Sequence, residues 1–388
     1  MSRKSQINPF PYYVYFGIAG VLIFIGLFTS VYLSISHYRV YTDMGYKSFC
    51  ALSKAINCDT VSQSPYSILL NIPLPLWGVA GYLLLTGLLI FNLKKEIPRQ
   101  RIWALFFWIA LLYSAYSIVL ALISTYVIHS YCIMCIVAYG VNFALVWFGW
   151  LIRKRFSSRS LIEDTQNDIG FLWRKPLKNL AWVLLFPVVI ILTMGFLPAY
   201  WKLEPPPSAS HIASGITGDG HPWIGAENPV LEITEFTDYQ CFQCKKMHFF
   251  LRQLIANYPE KIRLVHRHFP MDHQFNPIVT KPFHSSSGQM ALLAIYAASR
   301  NKFWVMNDLL FEMAGQGEDI RLKAIAQHTG FSLTDLNEAL NGSASRRQLI
   351  MDIAAGIRQG LTGTPAYIID DELYQAQIPP HVITQALR

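Results

Sequence analysis

Six cysteines occur in this chain, and along the sequence they fall as Cys50 with Cys58, Cys132-Ile-Met-Cys135, and Cys241-Phe-Gln-Cys244. The C-x-x-C spacing sets an attacking and a resolving sulfur one helical turn apart, which suits thiol–disulfide exchange. A purely structural bridge across so short a loop stabilises little. The alternative use of Cys241 and Cys244, as half of a zinc site, lacks a second cysteine pair nearby. It would need histidines such as His248, His266 and His268 to complete it. Redox exchange is the expected chemistry.

Two of the cysteine pairs lie at the ends of strongly apolar runs, so a membrane must position them. Of the 388 residues, 53% are hydrophobic and only 14% charged, and the mean hydropathy is +0.30. A soluble protein carries about 25% charged residues. The net charge of +8 sits in short loops between apolar runs, not on one amphipathic element, which argues against nucleic-acid binding and for cytoplasmic anchoring of membrane helices. Five runs reach the roughly 20 residues a spanning helix needs: 12–34, 74–93, 102–128, 132–152 and 179–198. The first is too long for a signal-peptide core and lacks a small-x-small cleavage site, so it reads as a signal anchor.

Orientation follows from the basic residues. Arg3 and Lys4, then Lys94, Lys95, Arg99 and Arg101, then Arg153 through Lys178 mark three segments on one side, the cytoplasmic one. The opposite loops, 35–73 and 129–131, hold only Arg39, Lys47 and Lys54. All six cysteines then face the outer compartment, where disulfides persist. Cys135 and Tyr139 share a face of the fourth span, four residues apart. A dithiol beside a phenolic donor at the membrane surface is suited to passing two electrons to a quinone. The alternative for Tyr139 is an interfacial aromatic, like Tyr131 or Trp150.

Beyond Trp201 a Pro-, Ser- and Gly-rich stretch reads as a linker. From residue 229 the pattern becomes that of a soluble α/β domain: strand 230–236, a helix opening at the second C-x-x-C, strand 261–268, helical segments over 284–356 and a closing strand after Thr364-Pro365. The helix N-terminus favours a thiolate on Cys241. Glu235 stands six positions before it, and Pro365 could be cis and lie against the dithiol.

Residues 229–388 resemble the thioredoxin superfamily, specifically the DsbA-like thiol oxidases. The resemblance implies that Glu235 is buried and assists proton transfer at Cys244, and that Thr364, before a cis Pro365, tunes redox behaviour and substrate contact. Phe242-Gln243 departs from that family's common Pro-His. Residues 10–152 resemble the vitamin K epoxide reductase family in both cysteine spacings, in Ser64 after the loop pair, and in Ile72-Pro-Leu-Pro-Leu-Trp-Gly78 opening the second span. The DsbB-like family carries its C-x-x-C in the first outer loop, the reverse of the order here. The resemblance implies that Cys135 faces the quinone and Cys132 exchanges with Cys58. It also implies that Cys50 meets Cys241 and that Tyr139 and Ser64 serve the quinone site.

The expected architecture is thus an α-helical membrane bundle followed by an α/β thioredoxin-like domain with a helical insertion. The bundle comprises a four-helix core at 1–155, then a cytoplasmic loop and fifth span at 156–201. A linker at 202–228 leads to the soluble domain at 229–388. The expected function is a quinone-dependent protein-thiol oxidase of a bacterial inner membrane, multi-pass, with a cytoplasmic N-terminus and an extracytoplasmic C-terminal domain. Electrons would run from reduced exported proteins through Cys241/Cys244, Cys50/Cys58 and Cys132/Cys135 to ubiquinone or menaquinone in the bilayer. No obligate protein partner, metal or nucleic acid is expected. The alternatives are an outward-facing disulfide reductase or isomerase, for which a cytoplasmic dithiol is missing, and a membrane-anchored binding module.

Overall fold

The computed structural model describes residues 10–387 apart from 53–54, 92, 94–101, 175–187, 190–191, 194–195, 197 and 314–319. Most of the expected fifth span, 179–198, lies outside the described residues. The chain divides into two compact units, residues 1–42 with 46–200, and residues 43–45 with 201–388.

The first unit is helical. Helix α1 (Tyr12–Thr42) is followed by a loop, the short α2 (Cys58–Gln63), and a two-strand hairpin of β1 (Ile68–Leu69) and β2 (Ile72–Pro73). Its turn residues Leu70 and Asn71 both adopt left-handed backbone angles, as a two-residue hairpin turn demands. Then come α3 (Leu74–Phe91), α4 (Trp103–Ile123), α5 (Ile133–Phe156) and α6 (Leu161–Arg174). Four helices among the described residues are long and apolar enough to cross a membrane: α1, α3, α4 with its continuation to Ile128, and α5. The first runs two turns beyond its apolar core because Ser36 and His37 are buried there with partners: His37 meets Ser67 at 3.2 Å and Tyr200 at 2.8 Å. Leu85, Phe106, Ala110 and Leu145 form the bundle core. Gly26 is needed where α1 meets α3, since a Cβ there would come within 2.3 Å of the Tyr82 ring.

Helix α6 falls within the expected cytoplasmic loop. Its Asp168 carboxylate accepts the Ala104 N–H at 3.1 Å and so caps the start of α4. Asp164 pairs with Arg153 of α5 at 3.3 Å.

The second unit is a six-stranded mixed sheet covered by helices. Strands β3 (Ser214–Ile216), β4 (Pro222–Gly225), β5 (Leu231–Thr237), β6 (Ile262–His268), β7 (Ala366–Ile369) and β8 (Glu372–Gln375) lie in the order β3-β4-β6-β5-β7-β8. Only β5 and β6 are parallel. Helix α7 (Phe242–Asn257) makes their crossover. The insertion between β6 and β7 holds α8 (Ser287–Ala298), α9 (Phe303–Met313), α10 (Leu322–Thr329), α11 (Leu333–Asn341) and α12 (Ser343–Arg358). Helix α13 (Pro380–Leu387) closes the chain.

The expected linker at 202–228 is corrected: β3 and β4 lie inside it and form one edge of the sheet. Each is too short, and too rich in Gly and Pro, to show the alternation that marks a strand. Gly225 ends β4 with φ of +118°, where a Cβ would meet the Ile262 carbonyl at 2.0 Å. Only glycine permits that approach.

Candidate functional site

In the first unit, two backbone segments bring four cysteines together. Ile56 and Tyr131 form a parallel bridge. The Asn57 N–H donates to the Tyr131 carbonyl at 3.0 Å and the Tyr131 N–H to Ala55 at 2.8 Å. Cys58 and Cys132 are the next residues along the two segments. Asn57 also caps α2 through its side-chain oxygen, which accepts from Asp59 and Thr60 at 2.9 and 3.2 Å. Asp59 in turn accepts the Ser48 N–H at 3.1 Å, fastening the segment that carries Cys50. Cys50 and Cys58 are disulfide-bonded, with Cα atoms 5.7 Å apart. Together with Leu33 and Cys132 they form a buried apolar cluster, against which Cys135 packs. Cys132 caps α5, its sulfur accepting the Cys135 N–H at 3.2 Å.

Cys135 also lines an open-sided cavity of about 500 Å³ between α1, α2, the hairpin, α3, α4 and α5. Its walls are mostly apolar, with a few polar groups. Cys135, Tyr139 and Asn142 follow one another along α5 at helical spacing on one face. Ser64, Tyr82, Tyr116, Ser117, Trp77 and His37 line the other sides. Tyr82 donates to the Asn142 Oδ1 at 2.7 Å, and Asn142 donates to Ser117 at 3.0 Å. Ser64 donates to the Val61 carbonyl at 2.7 Å and so ends α2. A cavity of this size with sparse polar groups suits one small aromatic ligand. A quinone ring needs a hydrogen-bond donor at its carbonyl, and Tyr139 is a donor beside Cys135, so the lining fits that group.

Ser64, Cys135 and Tyr139 are therefore gathered at one cavity. Asn142, Tyr82 and Ser117 were not anticipated. Asn142 carries the one signal available, a polar residue in an apolar span seven positions after Cys135.

In the second unit, Cys241 caps α7, and its sulfur accepts the Cys244 N–H at 3.3 Å. The Thr364–Pro365 peptide is cis, and the Cys241 thiol lies 3.6 Å from the Thr364 carbonyl. Cys241 is half-buried and Cys244 fully buried. The Cys244 thiol, donating to Cys241, lowers the Cys241 pKa; burial opposes this and the nearby His284 charge adds to it. Cys244 is pushed well above its ordinary value by burial and by its partner sulfur. The pair is thus polarised, with the thiolate on the accessible cysteine.

Behind the dithiol lies a buried polar network. Glu235 on β5 is opposite His266 on β6 and Tyr367 on β7. Its Oε1 meets His266 Nδ1 at 2.8 Å and His248 Nδ1 at 3.2 Å. His248 stands one turn after Cys244 on α7, and its Nε2 lies 3.2 Å from the Asp308 carboxylate, which also pairs with Arg252. Burial works against ionising Glu235, but the His248 charge and the hydrogen bonds from both histidines outweigh it and draw the carboxyl down to about 2. For His248 burial is likewise outweighed, by Glu235 and Asp308, and its pKa is raised. His266 is held below its ordinary value by burial. The expected residues Glu235, Cys241, Cys244, Thr364 and Pro365 thus converge. His266 and His268 point to one strand face, as their spacing requires, but into the interior. Among the described residues no group of three or more His, Cys, Asp or Glu is arranged to hold a metal.

The fold and its cysteines define an apolar four-helix bundle bearing two cysteine pairs, joined to a thioredoxin-like domain bearing a third. Residues 18–150 match the vitamin K epoxide reductase family, and residues 232–388 match the DSBA-like thioredoxin domain. This chain therefore joins a vitamin K epoxide reductase family domain to a DsbA-like thioredoxin domain.

Solved structures similar to it include a thioredoxin-like oxidoreductase from Silicibacter pomeroyi DSS-3. That protein is 20% identical with a TM-score of 0.37, over 44% of this chain and 91% of that one. The thiol-disulfide exchange protein alpha-DsbA2 from Wolbachia pipientis is 24% identical with a TM-score of 0.34, over 42% and 84%. Two curated proteins also match at 23% identity. The Na(+)/H(+) antiporter NhaA of Herminiimonas arsenicoxydans aligns over 48% of this chain, and the Na(+)/H(+) antiporter NhaA 3 of Salinispora tropica over 38%. The chain spans about a quarter of the length of these curated relatives, 26% and 21%.

Proposed function

We propose that this chain is a membrane thiol–disulfide oxidoreductase that introduces disulfides into exported proteins and passes the electrons to a lipid quinone. The observation that carries the reading is the shared apolar cluster of Cys50, Cys58, Cys132 and Cys135, with Cys135 in the wall of the cavity that also holds Tyr139.

A substrate thiolate attacks Cys241 of the Cys241–Cys244 disulfide, and Cys244 leaves. The substrate's second thiolate then displaces Cys241, and the substrate departs oxidised. Cys241 attacks Cys50, Cys58 leaves, and Cys244 resolves the mixed disulfide. Cys58 next attacks Cys132, Cys135 leaves as a thiolate, and Cys50 resolves. Cys135 and Tyr139 would hold a quinone in this cavity, with Tyr139 as the hydrogen-bond donor and Asn142 and Ser64 on the polar side of the wall; a quinone bound there would supply an acceptor for the two electrons and two protons of each cycle. Glu235 serves proton transfer at Cys244, and Thr364 with Pro365 forms the substrate-facing edge of the soluble dithiol.

In this reading the membrane is a bacterial inner membrane, with the N-terminus cytoplasmic and the DsbA-like domain outside. Its thioredoxin-like partner is fused, so no separate one is required.

The test is to trap each transfer. Full-length Cys244→Ala protein, its Cys241 first activated as a mixed disulfide with an aromatic thiol, should release that thiol to a reduced unfolded protein and accumulate a Cys241–substrate disulfide. The Cys58→Ala, Cys244→Ala variant, treated with a thiol oxidant such as diamide, should form Cys50–Cys241. Absence of both, with the cysteines intact and alkylatable, would refute the relay.

A further inference from the structure

Cys244 must exchange a proton in every cycle, yet it is fully buried. When it leaves from Cys241 it becomes a thiolate with no contact to water. When it resolves the mixed disulfide with Cys50 it must lose a proton again. Glu235 is equally buried, so naming it as the proton partner only moves the difficulty one residue inward.

Two further features bear on it. The Oε2 atom of Glu235 and the hydroxyl of Tyr367 are buried without a hydrogen-bond partner. Tyr367 stands opposite Glu235 in the β5–β7 pairing, and after burial the charges of Cys244 and Glu235 are the next two causes raising its pKa. Unpartnered buried polar atoms call for a water or a transferable proton. On the far side of Glu235, the imidazoles continue outward. His266 Nδ1 is 2.8 Å from Glu235 Oε1, and His266 Nε2 is 3.3 Å from His268 Nδ1. Both histidines line a pocket of about 400 Å³ whose walls include none of Cys241, Cys244, Thr364 and Pro365. There Asp352 fixes the pocket end of the chain, accepting the His268 backbone N–H at 3.1 Å and meeting His221 Nε2 at 2.7 Å.

We propose that His268 and His266 form a proton relay that links this pocket to Glu235 and hence to Cys244, so that the buried sulfur exchanges protons with solvent through it. The inference rests on the redox role of the Cys241–Cys244 pair. With each imidazole neutral and protonated on Nδ1, the donors all point inward: His268 Nδ1–H to His266 Nε2, and His266 Nδ1–H to Glu235. When the Cys241–Cys244 bond breaks, Cys244 keeps the electron pair. The Glu235 carboxylate takes the His266 Nδ1 proton and delivers it to Cys244, so Glu235 begins and ends ionised. His268 replaces the proton that His266 lost, and a pocket water protonates His268 Nε2, leaving hydroxide to the solvent. Resolution by Cys244 runs the same path outward.

The charged and titratable groups around the two imidazoles, among the described residues, are Glu235 on β5, His248 on α7, His221 before β4, Asp352 on α12, and Tyr239, whose ring packs on both and whose hydroxyl donates to Asn307. Only Glu235 closes the path toward the sulfur. His266 and His268 act through Glu235 and are positioning residues for the proton, not groups that touch the reacting sulfurs.

The experiment uses oxidised full-length protein in lipid nanodiscs and a reduced dithiol peptide, with acid quenching and mass analysis of a single turnover. Removing a proton donor costs general acid–base catalysis about 100-fold or more, so His268→Ala should slow departure of Cys244 at least about tenfold. Added imidazole should restore the rate, because the substitution opens a space continuous with the pocket. His268→Phe should be equally slow and unresponsive to imidazole. Alkylation of reduced Cys241 should be unchanged in both, which separates the relay from general damage to the site. A solvent deuterium effect of about twofold or more on the same step in the unsubstituted protein is also expected.

Wild-type turnover in His268→Ala, or a slowed rate that imidazole never recovers while Cys241 alkylates normally, would overturn the relay. If the unsubstituted protein leaves the peptide reduced, the redox reading itself fails, and the relay with it.

Discussion

The Asn57 N–H donates to the Tyr131 carbonyl at 3.0 Å, and the next residue along each segment is a cysteine, Cys58 and Cys132. This one backbone bond brings the loop pair and the membrane pair into register, and the Asn57 side chain simultaneously starts the helix that carries Cys58. A Cys50→Ala, Cys135→Ala variant should therefore form the Cys58–Cys132 disulfide spontaneously in air, identified by mass analysis of digested protein. Adding Asn57→Ala removes the cap, worth about 1 kcal/mol, and should slow formation of that bridge. Recovery of only reduced Cys58 and Cys132 would contradict the arrangement.

Tyr139 and Asn142 occupy the cavity wall on the same face as Cys135. Tyr139→Phe keeps the ring and removes the donor, and a net hydrogen bond of about 1 kcal/mol corresponds to about a fivefold change. The KM for quinone should rise by that order with protein-thiol exchange at Cys241 unaffected. Steady-state kinetics with varied quinone measures the effect.

The two sulfurs of the soluble pair should titrate far apart. The Cys244 thiol lowers the pKa of Cys241 from the ordinary 9.0, with help from His284, and Cys244 is raised well above 9.0. Iodoacetamide labelling of the reduced protein should show Cys241 reacting with a midpoint below pH 9 and Cys244 protected. His284→Ala should move the Cys241 midpoint upward.

The Glu235–His248 pair sets a pH window for stability. Glu235 has its pKa lowered from 4.5 to about 2, so its contribution is present above pH 4.5 and is lost as pH falls through about 2. His248 has its pKa raised above 6.5, so its contribution is complete below 6.5 and fades as pH rises through the folded value. The pair is at full strength between pH 4.5 and 6.5. His266 and His268, whose pKa values are lowered by burial, subtract stability as pH falls below 6.5. The difference between the unsubstituted protein and Glu235→Gln isolates the pair. Breaking a buried ion pair typically costs about 3–5 kcal/mol, and the gap should be widest in that window, read from denaturant unfolding at each pH.

The sequence revealed most about residues whose chemistry is local. The two cysteines of a C-x-x-C, Tyr139 four positions on, and Thr364-Pro365 before a strand each lie along one element, so spacing alone shows which of them are neighbours, while the parts expected of Tyr139 and Thr364 rest on family resemblance. Asn142, Tyr82 and Ser117 escaped because they come from three different spans and meet only when the bundle closes. His266 and His268 were legible as two imidazoles on one strand face. Which face turns inward is fixed by the pairing of β5 with β6, and spacing alone left surface, core and metal ligand all open. Strands β3 and β4 were hidden by their brevity and by the Pro and Gly around them.

Quinone absorbance and substrate thiols can be followed together with purified full-length protein, a reduced unfolded protein and ubiquinone or menaquinone. A relay from Cys241 to Cys135 reduces one quinone for every two thiols lost, and both changes should be abolished by Cys135→Ala and by Cys241→Ala. Substrate thiols that stay reduced with either quinone, while all six cysteines are intact, would contradict it.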